Sequence, residues 1–218
     1  TTGIIEKGKW SVLNKKIIGD FKNFPLTEHI KKKINKPVFA FNDTEAAALG
    51  ELKYGAGKKF SDFFYITVST GVGGSMVINQ KPFNEKSSLV GAFGHMVIKQ
   101  NGKLCGCGRK GCIEAYASGH AIDKILKTSN KKNVSIKNML LNYKDTKWST
   151  KIINEATNYI AEGIVNVNIL TGIRNFIIGG SIGLSHNFFR EIIKNTKKIT
   201  KQKILIIKAG LKNDSGVF

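Results

Sequence analysis

Short apolar runs alternate along the chain with longer segments that space their apolar residues at helical intervals. Phe63–Val68 consists entirely of aromatic and β-branched residues, which predicts a buried strand. Asp43–Tyr54 is rich in Ala, Leu and Glu and is followed by Gly55, which predicts a helix. Residues 149–170 repeat Ile, Ala and Val at three- and four-residue intervals, as a long helix packed on one face does.

The other predicted elements extend this alternation of strands and helices. They are a short helix around 26–30, a strand at 37–41, a glycine-rich turn at 69–74 followed by a hairpin strand at 75–78, a strand at 175–178, a helix at 186–195 and a last strand at 203–207. Residues 1–36 are otherwise polar and irregular, and 80–113 are predicted to be loop with one short strand at 96–99. The fold class we expect is α/β.

Composition places the chain among ordinary globular proteins, with one strong bias in charge. Of its 218 residues, 41% are hydrophobic, and 35 basic residues against 15 acidic ones give a net charge of +20. All the basic residues except Arg109, Arg174 and Arg190 are Lys, and they are scattered along the chain. Since nucleic-acid readers rely on Arg, we expect no nucleic-acid partner. The positive field should instead attract anionic ligands such as nucleotides.

Membrane contact is not expected either. No apolar run approaches the ~18–20 residues that span a bilayer. Residues 1–10 also lack the apolar segment of a signal peptide. We therefore expect a cytoplasmic protein whose cysteines stay reduced.

The three cysteines lie within eight residues, and a histidine precedes them. Cys105, Cys107 and Cys112 follow His95 and are separated by glycines that let the backbone turn tightly. Three thiolates and one imidazole supply the four ligands of a tetrahedral Zn²⁺ site, and a complete set leaves no open position for a catalytic water. The sequence therefore predicts a structural zinc. A chance cluster of buried thiols is the alternative.

Two further segments could bind a ligand, although each also has a purely structural explanation. Residues 69–75 read Ser-Thr-Gly-Val-Gly-Gly-Ser, which either exposes backbone N–H groups to phosphate oxygens or is simply a tight hairpin turn. Asn42 and Asp43 stand where a predicted strand meets a helix. Ligands gather there in α/β sheets, but Asp also caps helices. Glu114 follows Cys112 closely, so a zinc-bound loop would hold its carboxylate in place.

In their order and spacing, these segments resemble the ROK family of sugar kinases and sugar-responsive repressors. The matching stretches are Asn-Asp-Thr-Glu-Ala-Ala-Ala-Leu-Gly-Glu at 42–51, Ile-Thr-Val-Ser-Thr-Gly-Val-Gly-Gly at 66–74, Gly-His at 94–95 and Cys-Gly-Cys-Gly-Arg-Lys-Gly-Cys-Ile-Glu-Ala-Tyr-Ala-Ser-Gly at 105–119. Gly179 and Gly180 are similar to the family's glycine turn on the adenosine side. Within the family, the turn at 69–73 and the segment 113–119 look most like members that phosphorylate N-acetylmannosamine.

The resemblance implies an actin-like, ribonuclease-H-like sugar kinase core of two lobes. Residues 1–40 would be the remnant of an incomplete N-terminal lobe, and 41–218 would be the C-terminal kinase lobe, with its zinc loop at 95–112. The family's Asp-x-Gly-Gly-Thr phosphate motif does not occur in the sequence, and the family's closing helix is missing after Ser215 and Gly216. We therefore expect a fragment of a longer kinase and, from the family, a homodimer.

The resemblance also implies a reaction and a role for each matching residue. The expected reaction is ATP-dependent phosphorylation of an amino sugar at the 6-hydroxyl, N-acetylmannosamine to its 6-phosphate in sialic acid catabolism, with Mg²⁺ on the ATP. Asp43 would be the general base. The other implied sites are sugar binding by Asn42, Asp43, His95 and Glu114; phosphate binding by Thr70, Gly71, Val72, Gly73 and Gly74; nucleoside contact by Gly179 and Gly180; and zinc binding by His95, Cys105, Cys107 and Cys112.

One departure from the family pattern bears on the sugar. Where the family usually has Gly-Glu-x-Gly-His, the chain reads Gly-Ala-Phe-Gly-His at 91–95, so Ala92 replaces a sugar-binding carboxylate. We expect weaker or altered sugar binding, since a charge-assisted hydrogen bond contributes roughly 1.5–3 kcal/mol. The alternatives to the expected activity are a glucokinase of the same family, a sugar-sensing repressor, and a sugar-binding fragment without turnover.

Overall fold

The computed structural model of the chain describes residues 3–12, 19–83 and 90–216. The strands are β1 (Ile4–Glu6), β2 (Lys9–Ser11), β3 (Phe63–Val68), β4 (Val72–Ile78), β5 (Lys81–Pro82), β6 (Asn175–Gly179) and β7 (Leu205–Lys208). The α-helices are α1 (Leu26–Ile34), α2 (Asp43–Tyr54), α3 (Glu114–Ala117), α4 (Gly119–Thr128), α5 (Ile136–Leu141), α6 (Lys147–Thr171) and α7 (His186–Ile199). Short 3₁₀ turns lie at Ala56–Lys59, Phe93–His95 and Lys212–Asp214.

A mixed sheet of five strands, in the order β5-β4-β3-β6-β7, organises the fold. The central strand β3 is antiparallel to β4 and parallel to β6, with Thr67 paired to Gly73 on one side and to Gly179 on the other. Nearly every side chain of β3 is buried, because helices cover both faces of the sheet. The carboxyl ends of β3 and β6 therefore lie side by side.

Alternate residues of β3 enter two separate cores, one on each face of the sheet. Phe64, Ile66 and Val68 pack with buried residues of α4, α6 and α7 in the larger core. Phe63 and Tyr65 point to the opposite face and pack with the apolar side of α2. This second core holds α2 against the sheet.

Most of the predicted elements are confirmed. The α/β class, strand β3, helices α2 and α6, and the strand–turn–helix order after residue 175 all agree with the sequence patterns. The predicted strand at 37–41 is wrong, because this stretch has no regular structure, Phe39 is 80% exposed, and no described strand pairs with it. The predicted strand at 96–99 is reduced to an isolated bridge between Val97 and Cys112.

The start of the chain is more regular than its polar sequence predicted. β1 and β2 form a hairpin in which Ile5 pairs with Trp10, and the Trp10 ring stacks on Phe21 with their centroids 5.2 Å apart. The short helix predicted around 26–30 extends to Ile34. None of the helices in the described ranges is long and apolar enough to cross a membrane.

Candidate functional site

A wide cleft of about 1510 Å³ opens where β3 and β6 end. Ser69 Oγ lies 3.2 Å from Ser181 Oγ across the two strand ends. Ile182 N and Gly183 N donate to Val68 O at 3.0 Å, which ties the ends together. Ligands of α/β proteins bind in this position relative to the sheet. The predicted site residues that line the cleft are Asp43, Thr70, Gly71, Val72, Gly73, His95, Cys105, Glu114 and Gly180.

The glycine-rich segment forms a shorter turn than its sequence predicted. Only 69–71 lie outside the strands, because the last three residues of the predicted turn belong to β4 and pair with β3. Ser69 N donates to Gly71 O at 3.0 Å and closes the turn. Thr70 at its tip is exposed and lines the cleft, so its hydroxyl group is accessible to a ligand.

Asn42 and Asp43 lie at the start of α2 but have different partners. The Asn42 side chain caps the helix by accepting from Thr44 N at 2.9 Å, and its Nδ2 donates to Gly3 O at 2.8 Å. Glu45 completes a capping box by accepting from Asn42 N at 3.3 Å. Asp43 is exposed at the cleft, and its Oδ1 accepts from Thr44 N at 3.0 Å. The Asn42 amide is thus engaged in the fold, while the Asp43 carboxylate is accessible.

The segment that follows the cysteines, from Glu114 to His120, forms hydrogen bonds to the turn and to the start of β4. Glu114 Oε2 accepts a hydrogen bond from Val72 N at 3.1 Å, and its Oε1 lies 3.9 Å from Cys105 Sγ. The first two N–H groups of α4 donate to Ser69 O and Thr70 O at 2.8 and 3.1 Å. Glu114 therefore connects Cys105, in the cysteine loop at 105–112, to the first residue of β4, next to the turn.

His95 and the three cysteines come together beside the cleft. Their ligand atoms all lie within 4.8 Å of one another. His95 Nδ1 is 3.6 Å from Cys105 Sγ, and Cys107 Sγ is 3.8 Å from Cys112 Sγ. Atoms that share one tetrahedral Zn²⁺ at the usual bond lengths lie about 3.5–3.8 Å apart, whereas disulfide sulfurs lie about 2.05 Å apart. The donor set and its spacing fit a zinc ion.

A tight hairpin carries Cys105 and Cys107; Cys105 and Cys112 are buried, and Cys107 is half-buried. Cys105 N donates to Arg109 O at 2.8 Å, and Leu104 forms a bridge with Lys110. Burial raises the pKa of the Cys105 thiol to about 12, and burial also raises the pKa of Cys112, because a thiolate loses its hydration there. A coordinated metal would reverse this effect, since a thiol that binds a metal is deprotonated.

Comparison with known proteins identifies the family. The ROK family model matches the chain over residues 1–218. The chain belongs to the ROK family. An N-acetylmannosamine kinase from Pasteurella multocida is 35% identical to this ROK chain over 188 residues, 86% of this chain and 63% of that protein. One from Haemophilus influenzae is 36% identical over 195 residues, 89% of this chain and 65% of that protein. The ROK chain thus spans less than two thirds of the length of these relatives.

Solved structures of ROK proteins have the same fold. A ROK family glucokinase from Streptomyces griseus, in complex with glucose and AMPPNP, matches with a TM-score of 0.85 at 24% identity, over 98% of this chain and 75% of that one. A ROK hexokinase from Thermus thermophilus matches with a TM-score of 0.86 at 24% identity, over 99% of this chain and 74% of that one. The sugar kinase fold that the motifs predicted for this ROK chain is therefore confirmed.

The cleft of this ROK protein also contains residues that its motifs did not single out. They include Thr44, Tyr65, Lys103, His120, Lys124, Lys212 and Ser215. The lysines add positive charge to a cleft that the sequence predicted would bind a nucleotide. Burial raises the pKa of Tyr65, and hydrogen bonds with Ser215 and Thr67 partly offset this rise by lowering the pKa. The sequence could have indicated Lys212 and Ser215 only through their position after the last strand, at the end of the sheet where ligands bind.

Proposed function

We propose that the chain is an ATP-dependent sugar kinase that phosphorylates N-acetylmannosamine at its 6-hydroxyl. The observation that carries this proposal is that the exposed Asp43 carboxylate and the turn at 69–71 line the same cleft. Phosphoryl transfer to a hydroxyl needs a proton acceptor beside a phosphate-binding segment. The names of the two curated relatives support the choice of sugar.

Asp43 is the general base of the proposed reaction. It accepts the proton of the sugar 6-hydroxyl as that oxygen attacks the γ-phosphate. Of the residues predicted to bind phosphate, Thr70 and Gly71 lie in the turn and hold the phosphate oxygens, while Val72, Gly73 and Gly74 form the strand that supports it. Gly179 and Gly180 would lie against the nucleoside. Mg²⁺ bound with ATP would neutralise charge on the phosphates.

The sugar side of the proposed site consists of Asn42, His95 and Glu114. Asn42 and Glu114 already form hydrogen bonds to backbone groups of the fold. Only their remaining donors and lone pairs would be available to bind the ring hydroxyls of the sugar. A Zn²⁺ held by His95 Nδ1 and the three cysteines would fix the histidine tautomer and leave Nε2 for the sugar.

The remaining expectations are proposals at the level of the whole protein. Residues 1–40 would belong to an N-terminal lobe and 41–218 to the C-terminal kinase lobe. The kinase would act in the cytoplasm as a homodimer, without nucleic acid. All three cysteines are free of disulfides in the structure, as reduced zinc ligands in that compartment would be.

ATP consumption by the chain tests this proposal. With Mg²⁺ present, N-acetylmannosamine, glucose and N-acetylglucosamine are offered in parallel, and we expect the highest kcat/KM with N-acetylmannosamine. Asp43→Asn is the control, because the amide cannot accept the proton. Its turnover should fall by about 10²–10⁴-fold, while calorimetry still detects sugar binding.

Each other result points to a named alternative. A preference for glucose would identify a glucokinase instead. Sugar binding without turnover of any of the three sugars would overturn the kinase proposal and favour a sugar-sensing protein. Normal turnover by Asp43→Asn would remove Asp43 from the mechanism.

A further inference from the structure

Glu51, in the third turn of α2, is a fully buried carboxylate with 0% exposure. Its Oε1 accepts hydrogen bonds from Leu211 N at 2.9 Å and Ser215 Oγ at 2.8 Å. Its Oε2 accepts from Gly210 N at 2.9 Å and Ala56 N at 2.7 Å. Four donors on two accepting oxygens match the capacity of a carboxylate.

These hydrogen bonds join two walls of the cleft. The helix that carries Glu51 begins at Asp43, and the segment 210–216 contributes Lys212, Ser215 and Gly216 to the cleft. The segment directly follows β7, the strand beside β6. It therefore lies on the side of the cleft where the end of β6 is proposed to contact the nucleoside.

Tyr65 extends this connection to the end of β6. Its side chain lines the cleft, hydrogen bonds with Ser215, and has its hydroxyl beside Gly179. Displacement of segment 210–216 would therefore also remove a partner of Tyr65 next to the proposed nucleoside contact.

We propose that Glu51 is a positioning residue. It fixes segment 210–216 as the wall of the cleft on the nucleotide side and sets the position of that wall relative to Asp43. This inference rests on the proposed kinase function. Ala47, Ala48 and Leu52 of the same helix belong to an apolar core, whereas Glu51 faces four hydrogen-bond donors that an apolar side chain would leave without a partner. A buried carboxylate there instead specifies one arrangement of its donors.

Glu51→Gln tests the proposal with little change in shape. Each carboxylate oxygen accepts from two donors, so the amide NH₂ must face at least one backbone N–H in either orientation. We expect the Kd for Mg²⁺–AMPPNP to rise about tenfold or more. The Kd for N-acetylmannosamine should stay within about twofold, because the side-chain hydrogen bonds of Asp43, His95 and Glu114 go to groups outside the segment that is released.

Asn195→Ala is a control that removes a buried hydrogen-bond network elsewhere. Asn195 Nδ2 donates to Asn154 O at 3.3 Å and Thr157 Oγ1 at 3.0 Å between α6 and α7. This variant should lose thermal stability and keep its affinity for Mg²⁺–AMPPNP. Hydrogen exchange of the Gly210 and Leu211 amides should accelerate in Glu51→Gln and not in Asn195→Ala.

The outcomes separate this inference from the proposed function. If the wild-type chain binds no nucleotide, the kinase proposal fails and this inference fails with it. If the wild type binds Mg²⁺–AMPPNP and Glu51→Gln binds it equally well, or binds nucleotide and sugar equally poorly, the inference alone is overturned. If Glu51→Gln does not fold, Glu51→Asp replaces it. The shorter carboxylate keeps the charge, cannot reach all four donors, and should show the same selective loss of nucleotide affinity.

Discussion

Adjacent residues at the start of α2 show how the role of a side chain depends on what its polar atoms already bind. The sequence alone left capping and ligand binding open at this position, because Asn and Asp suit both. Asn42 takes the capping role and also binds Gly3 O. Asp43 consequently remains exposed at the cleft. Because Asn42 is engaged and Asp43 is accessible, we propose Asp43, and not Asn42, as the general base.

Ala92 is the residue at which the proposed sugar site departs from its family pattern. It is half-buried and precedes the 3₁₀ turn whose last residue, His95, lines the cleft. We expect Ala92→Glu to lower the Kd for N-acetylmannosamine by about tenfold to a hundredfold, because a carboxylate would accept a charge-assisted hydrogen bond from a ring hydroxyl. Calorimetric titration of the two proteins measures the difference.

Ala92→Gln separates the charge of the new side chain from its length. The amide should recover a smaller part of the affinity, since neutral hydrogen bonds are about half as strong as charge-assisted ones. Equal sugar affinity in all three proteins would mean that residue 92 does not contact the sugar.

At the scale of elements, β4 shows how a glycine-rich sequence can form a strand where a turn is predicted. Gly73 and Gly74 pair with β3 instead of extending the turn. Thr44 of α2 donates from Oγ1 to Gly74 O at 3.0 Å, so α2 packs directly onto this strand. A side chain at Gly73 would collide with Thr44 of α2, and one at Gly74 would collide with Phe64 and Phe93. The glycines are therefore explained by the close approach of segments that are distant in sequence, which local sequence does not reveal.

The 3₁₀ turn Phe93–His95 also packs on β4, through Gly94. A methyl group at Gly94 would collide with the carbonyl oxygen of Val72, and Val72 N is the group that Glu114 holds. We expect Gly94→Ala to displace His95 from the cleft, to lower the free energy of unfolding by about 1–3 kcal/mol, and to raise the KM for the sugar. Urea unfolding and steady-state kinetics measure the two effects.

Gly172→Ala is the matched control for this prediction. Gly172 ends α6 with a φ of 75°, and an added Cβ would meet nothing within 4 Å. The substitution should therefore lower stability by about 1 kcal/mol through the backbone alone and leave the KM unchanged. If both variants raised the KM equally, general instability and not a displaced turn would explain the loss.

At the scale of the whole molecule, the sequence predicted what is encoded locally and missed what distant segments form together. β3, α6 and the cysteine cluster are visible because periodicity and residue spacing are local properties. The failure of 37–41 to form a strand depends on the absence of a pairing strand in the described part of the chain. The hydrogen bond from Leu211 to Glu51 joins residues 160 positions apart, and no local pattern contains it.

The cysteine loop is connected to the rest of the molecule through Glu114, so the proposed zinc should stabilise more than its own loop. Cys105 lies beside Glu114, which holds Val72 N in the strand next to the turn. We expect metal analysis to find one Zn²⁺ per chain. A strong chelator should lower the Tm by about 2–4 °C for each kcal/mol of stability that the metal contributes at this chain length, and should raise the KM for the sugar. Added Zn²⁺ should restore both values, whereas Mg²⁺ should not. A chain that holds no metal, and whose Tm a chelator leaves unchanged, would contradict the zinc assignment.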